Sequence, residues 1–288
     1  MDTRKPVFAG SWYPASPSDC ENQIKEFLKD TRFQVQTGEA PWLGGIVPHA
    51  GWPFSGSLAC NVISALKEKE SEKEPDTVLV FGMHLPPHTS GYIMAEGAWE
   101  TPFGDLLIDA ELAGGLTRNF QFTIETATRF TPDNTIELQL PFIKYFFPQA
   151  RLVPIGPPAE TSAIEIGKKA AELAREAGKR IKIVGSTDLT HYGPNFGFTS
   201  AGKGREAYEW VKNQNDKRVI DAMLAMDPEQ IIKEALAHHN ACCPGAAAAA
   251  VSALKDLGAS EARFVGYSSS FEHHPGDTFV GYGGVVYH

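Results

Sequence analysis

Three stretches of this chain, "TVLVFGMH", "RLVPIG" and "KRIKIVGSTDLTHYG", begin as runs dominated by apolar and β-branched residues and end in glycine or polar groups. A half-exposed strand alternates apolar with polar side chains, whereas a near-continuous run marks a strand covered on both faces. These runs alternate with helical segments along the sequence. The pattern predicts an α/β architecture, with a central mostly parallel or mixed sheet flanked by helices on both faces.

The remaining elements follow from local signals. A short strand is expected at Gly44–Val47, and a first helix from "SPSDCENQIKEFLKD", with Ser16 as N-cap, Pro17 in the first turn and an Ile24, Phe27, Leu28 stripe. A second helix is expected from about Ser55 to Glu68, before the charged run "KEKESEKEPD", which reads as a solvated loop. After "RLVPIG", Ser162 and Glu165 form a capping-box pattern, and Gly178 suits the end of that helix. Helices are also expected at Asp216 to Met226, Pro228 to His238, and in the alanine-rich segment after Pro244. Two strands, "ARFVGYSSS" and "TFVGYGGVVYH", close the chain. Neither a repeat nor a linker interrupts the pattern, so one domain, residues 1–288, is expected.

Composition excludes some partners. The formal net charge is −9 with basic residues scattered, the opposite of a nucleic-acid footprint. No apolar run approaches the roughly 18 residues of a membrane span, and the start "MDTRKPVFAGSWYP" has no apolar core of a secretory signal. No membrane contact and a cytoplasmic location are therefore expected. The four cysteines show no CxxC pair, and a bridge between adjacent Cys242 and Cys243 would be strained.

In open α/β sheets, ligands bind beyond the carboxyl ends of the strands. His49 follows the strand Gly44–Val47, His84 follows Thr77–Phe81, and Asp188 with His191 follow Ile181–Gly185. The expected strands thus deliver imidazole and carboxylate groups to one edge. Taken alone, His49 is either a hydrogen-bonded turn histidine or a functional one. Asp188 and His191 are either an N-cap and a surface histidine, or a carboxylate that fixes the tautomer of a proton shuttle or helps hold a metal. The segment "HHNACCPG" adds His238, His239, Cys242 and Cys243 just before a helix, where a thiolate is favoured. Two imidazoles and one thiolate suit zinc, iron or copper rather than magnesium or calcium, while the other cysteine packs as a small hydrophobe. Trp12 is either a core aromatic or a pocket wall.

"AGSWYP", "PHAGWPFSG", "STDLTHYG", "NACCPG" and "VGYGGVVY" together resemble the Memo family, in the same order and from Ala9 to Tyr287. The resemblance implies a fold similar to that of class III extradiol dioxygenases. It also implies metal ligands at His49, His84 and Cys243, with Cys242 packing and Asp188 and His191 lining the pocket. Glu137, in "NTIELQLPF", matches the family's glutamate before a Leu-Pro pair and is expected beside substrate, with Trp12 as a possible wall. Asn134 and Gln139 stand where some relatives carry histidines. A thiolate in place of the dioxygenases' carboxylate departs from their two-His-one-carboxylate triad, so ring cleavage does not follow from the fold.

The leading functional expectation is a metal-dependent redox enzyme holding Fe(II) or copper, zinc fitting less well, with His191 as acid/base and Asp188 as its orienter. Gly51 is expected to keep the backbone clear of the pocket. Two rivals are a scaffold that binds a small molecule or peptide without catalysis, and a zinc hydrolase whose metal activates water. The family resemblance further implies a radical-SAM protein as partner.

Overall fold

The structure is a computed structural model describing residues 2–35, 41–67 and 74–288. Most of the charged run after Leu66, residues 68–73, lies outside the described residues. The strands are β1 (Thr3–Arg4), β2 (Gly44–Val47), β3 (Thr77–Phe81), β4 (Gly91–Met94), β5 (Ala98–Thr101), β6 (Gly104–Leu107), β7 (Phe122–Glu125), β8 (Arg151–Gly156), β9 (Ile181–Ser186), β10 (His191–Tyr192), β11 (Ala262–Ser269) and β12 (Phe279–Tyr287). The large sheet has the order β10-β12-β2-β9-β3-β8-β4-β7, with β11 paired to β12. Its centre, β2-β9-β3-β8, is parallel, and the flanking β12 and β4 join it antiparallel. The sheet is therefore mixed, as the near-continuous apolar runs and the two closing strands led one to expect.

Burial follows the sequence pattern. Every residue of β2, β3 and β9 is buried, because helices cover both faces. On one face the helix Pro244–Asp256 packs its fully buried Ala246–Ala250 run against the sheet and against the helix Thr161–Glu176. The approach is so close that a Cβ on Gly167 would fall 2.1 Å from the Ala249 carbonyl oxygen. Alanine here is both a strong helix former and the spacer that permits this contact.

Several boundaries differ from expectation. A wide π-type turn, Trp52–Gly56, precedes the second helix, which runs Ser57–Ala65 rather than from Ser55 to Glu68. The helix after β8 is preceded by Glu160, so Ser162 lies inside it and hydrogen-bonds the Glu160 carboxylate in place of a capping box. Gly178 takes a φ of +64° at its end, as anticipated. The segment from Gly91 to Glu125 holds four short strands that no long apolar run announces. Two of them, β5 and β6, join β1 in a separate three-stranded sheet. No helix among the described residues is long and apolar enough to cross a membrane.

Candidate metal centre

Strands β2, β9 and β3 are parallel neighbours, and each releases one group at its carboxyl end: His49, Asp188 and His84. Asp188 accepts the backbone N–H of His49 at 2.7 Å, which fixes the loop after β2 to the loop after β9. Asn134 and Gln139 complete this support by donating to the carbonyls of His49 and Pro48 at 3.0 and 2.9 Å. Gly51 has ordinary dihedrals and only loose contacts where a Cβ would stand, so steric relief is not its role.

The ring of His49 is buried and oriented by hydrogen bonding. The Ser186 hydroxyl donates to the Thr135 carbonyl at 2.7 Å, leaving its oxygen to accept from His49 Nδ1 at 3.0 Å. Nε2 then points to Cys242 Sγ, 3.2 Å away, with its lone pair available to a metal. Beyond β3, the chain turns through Gly82 and Met83, the latter at a φ of +69°. Only glycine fits at 82, since a Cβ would lie 2.4 Å from the Thr135 hydroxyl that holds the Met83 N–H. The turn sets the ring of His84 at 85° to that of His49, centroids 5.1 Å apart, with Nδ1 3.6 Å from the Asp133 carboxylate.

Both cysteines reach this point from the loop between the helices Pro228–His238 and Pro244–Asp256. The N–H of Cys242 donates to the Asp188 carbonyl at 3.1 Å, and that of Cys243 to the Thr187 hydroxyl at 3.1 Å. Donor atoms of His49, His84, Cys242 and Cys243 all fall within 4.8 Å of one another. Both Cys243 and Cys242 place their sulfurs in this cluster, Cys242 while also packing against the core. Cys242 lies against His49 and lines the cavity above; Cys243 is 1% exposed, beneath it. His238 and His239, next in sequence, stay outside: His238 pairs with Glu234 and His239 packs edge-on against Phe198.

The electrostatics suit a cation. Burial opposes ionisation of Cys242, yet Cys243 and the surrounding histidines hold its thiol well below the ordinary range. Burial also opposes protonation of His84, but Asp133 and Cys242 outweigh it and raise its pKa to about 10. Burial of His49 is likewise outweighed, chiefly by Asp188. Without a metal, the thiolate is thus balanced by protons on imidazoles. A bound metal ion would take over that positive charge as the ligands shed their protons.

A cavity of about 510 Å³ opens over the cluster, lined by His49, His84, His191, Trp12, Phe54 and Phe196 among others. A second, of about 670 Å³, meets it at His84, His191 and Phe196 and reaches Cys242. Trp12 is therefore a pocket wall. Its carbonyl accepts the Trp52 N–H at 2.9 Å, which ties the N-terminal arm to the turn after His49. His191 stands in extended strand β10, so the helical pairing with Asp188 does not form. Asp188 braces His49, and the buried Nε2 of His191 has no hydrogen-bond partner among the described residues. Glu137 does not border either cavity. Its buried carboxylate accepts the N–H groups of Val7 and Phe8 at 2.8 and 2.7 Å and the hydroxyl of Tyr13 at 3.2 Å, anchoring the arm that carries Trp12. Sequence reasoning missed Asp133, Thr135, Ser186 and Thr187; their sole signal was position, at a helix start or a strand end.

Comparison with known proteins gives the family. A family profile described as Memo-like protein matches residues 4–286. A MEMO1 family protein of Methanosarcina barkeri is 33% identical over 98% of this chain and 99% of its own length. Another, from Methanopyrus kandleri, is 32% identical over 99% of this chain and 98% of its own. A solved structure of an uncharacterized protein, JW3007, from Escherichia coli K12 is similar at a TM-score of 0.45 and 14% identity, covering 73% of this chain and 86% of that one, a level that bears on neither site nor activity. With the profile spanning nearly the whole chain and full-length relatives at a third identity, the chain belongs to the Memo-like family.

Proposed function

We propose that the protein is a metal-dependent redox enzyme whose metal is held by His49, His84 and Cys242. The convergence of two imidazoles and a thiol within 4.8 Å beneath a cavity carries this reading. The donor set is soft enough for copper and acceptable to Fe(II), and it excludes the hard oxygen-seeking ions; zinc fits the donors but changes no oxidation state. Such a metal would supply electron transfer and a coordination position on the cavity side, where the His84 side chain is 43% exposed.

The chain's own groups do the rest. Ser186 and Asp188 hold His49 in one tautomer and one position. His191, whose Nε2 has no hydrogen-bond partner among the described residues, moves a proton to or from a ligand in the cavity. Trp12, Phe54 and Phe196 exclude water and favour a small molecule with a flat apolar body. The test is oxygen uptake by copper- or iron-loaded protein against a panel of phenolic reductants. His191→Gln should keep its metal and lose about a hundredfold in rate. Bound metal that neither changes oxidation state nor supports oxygen uptake would contradict the redox reading.

A further inference from the structure

We propose that the two cavities at the carboxyl edge form one two-lobed substrate site, and that its substrate is an aromatic acid: a flat ring in the first lobe and, at the end of an apolar chain, a carboxylate met by His239 in the second. This inference rests on the reading of the site above and names the class of molecule it takes.

The two lobes differ in lining. The first, of about 510 Å³, is bordered by the exposed aromatic side chains of Trp12 and Phe54. The second, of about 670 Å³, is bordered by Leu85, Pro86, Pro87 and Leu236, and by His239. His84, His191 and Phe196 border both, so the lobes meet beside the groups assigned to the metal and to proton transfer. Each lobe alone has the size of a ligand pocket, roughly 300–1,000 Å³. A phenol without a side chain would leave one of them unfilled. Phe196 stands at the junction, 45% exposed and edge-on to His191 with ring centroids 4.9 Å apart. Its loop is closed at the base by the Gly193 N–H, which donates to the Phe198 carbonyl at 2.7 Å.

The charges select the ligand. Among the described residues no Lys or Arg borders either lobe, which leaves a phosphate ester without the guanidinium or ammonium that would match it. No carboxylate borders the second lobe, so a cation has no counter-charge there. What remains is imidazole, an N–H donor in either protonation state and a match for a single carboxylate. His239 is the imidazole in this lobe with no other task. His238, beside it, pairs with Glu234, whereas the ring of His239 has no hydrogen-bond or ion-pair partner among the described residues and packs edge-on against Phe198. Its backbone caps the helix Pro228–His238 at a φ of +52°, a left-handed position that glycine or asparagine usually fills. The chain leaves the helix at that turn, and the imidazole borders the lobe.

The probes are phenols whose para position carries a propanoate or a pentanoate chain, with the matching primary amides, titrated calorimetrically into the protein as purified. At least one acid should bind about tenfold tighter than its amide, the gap expected of a hydrogen bond to a charged group. In His239→Asn and His239→Gly, both of which tolerate the left-handed backbone, that ratio should fall to about one. Acids that do not bind, acids that bind like their amides, or a ratio that the substitutions leave unchanged would overturn the proposal. Tighter binding of phenyl phosphate than of either acid would overturn it too. Calorimetry detects binding without turnover, so these outcomes do not touch the redox reading. An acid preference that survives without any oxygen uptake would instead sink the redox reading and leave this one standing. Comparing acid with amide in the wild type needs no substitution, so a variant that fails to fold does not remove the test.

Discussion

The two edges of the central sheet both carry cavities, yet they are built on opposite principles. At the amino edge, a cavity of about 710 Å³ is lined by the starts of β3 and β8 and by Asp76, Asp109, Lys179 and Arg180. Its charges satisfy one another: Asp109 accepts from Thr77 at 2.6 Å and from Lys179 at 2.8 Å, and Arg180 lies 3.7 Å from Asp76. At the carboxyl edge the groups are mostly Lewis bases, two imidazoles and two thiols, with protons as their only counter-charge. The smaller cavity there, about 510 Å³, is the one with unmet chemistry. Size and polarity alone would select the amino edge; the difference lies in whether each group already has its partner.

That contrast can be broken most sharply at Asp109. Its loss strands the Thr77 hydroxyl and the Lys179 ammonium, which is 20% exposed and keeps Glu111. Asp109→Ala should therefore cost about 2–3 kcal/mol in urea unfolding while leaving metal affinity unchanged. A change in metal binding with intact fold would mean that the edges are not independent. Next in size, Asp188→Asn keeps an acceptor for the His49 N–H but removes the carboxylate charge that lies 3.8 Å from His49 Nε2. Chelator competition should show metal affinity weakened by about 10- to 100-fold, with little loss of stability.

The smallest effect concerns Asp216, buried beside the cluster's supporting loop. Burial raises its carboxyl to about 6, even though Thr190 and Tyr267 hydrogen-bond it. Because the folded state holds that proton more tightly than the unfolded chain, this group adds stability as pH falls through about 6 and loses it as pH rises. Relative to Asp216→Asn, which cannot titrate, the wild type should gain about 1 kcal/mol between pH 7 and pH 5 in paired denaturation curves. A flat difference would show the carboxylate to be ionised throughout.

Legibility in the sequence followed the physics of burial. Strands β3, β8 and β9 were readable because two covered faces demand near-continuous apolar runs. Strands β4 to β7 were not, being four residues long with exposed or half-exposed positions that leave no such run. At the site, His49 and His84 were legible as the residues that follow strand ends. The two cysteines were not separable, since identical adjacent side chains differ only in how the loop is pinned, and that depends on Asp188 and Thr187, some 55 residues away. Glu137 misled for a related reason: a buried carboxylate reads the same in sequence whether it meets a ligand or the backbone N–H groups of Val7 and Phe8.

The most direct test of the central claim is the metal content of protein purified anaerobically without added metal, measured by inductively coupled plasma mass spectrometry beside the Cys242→Ser variant. The account predicts close to one copper or iron ion per chain in the wild type and a small fraction of that in the folded variant. A wild type that carries no transition metal and takes up none on reconstitution would contradict it.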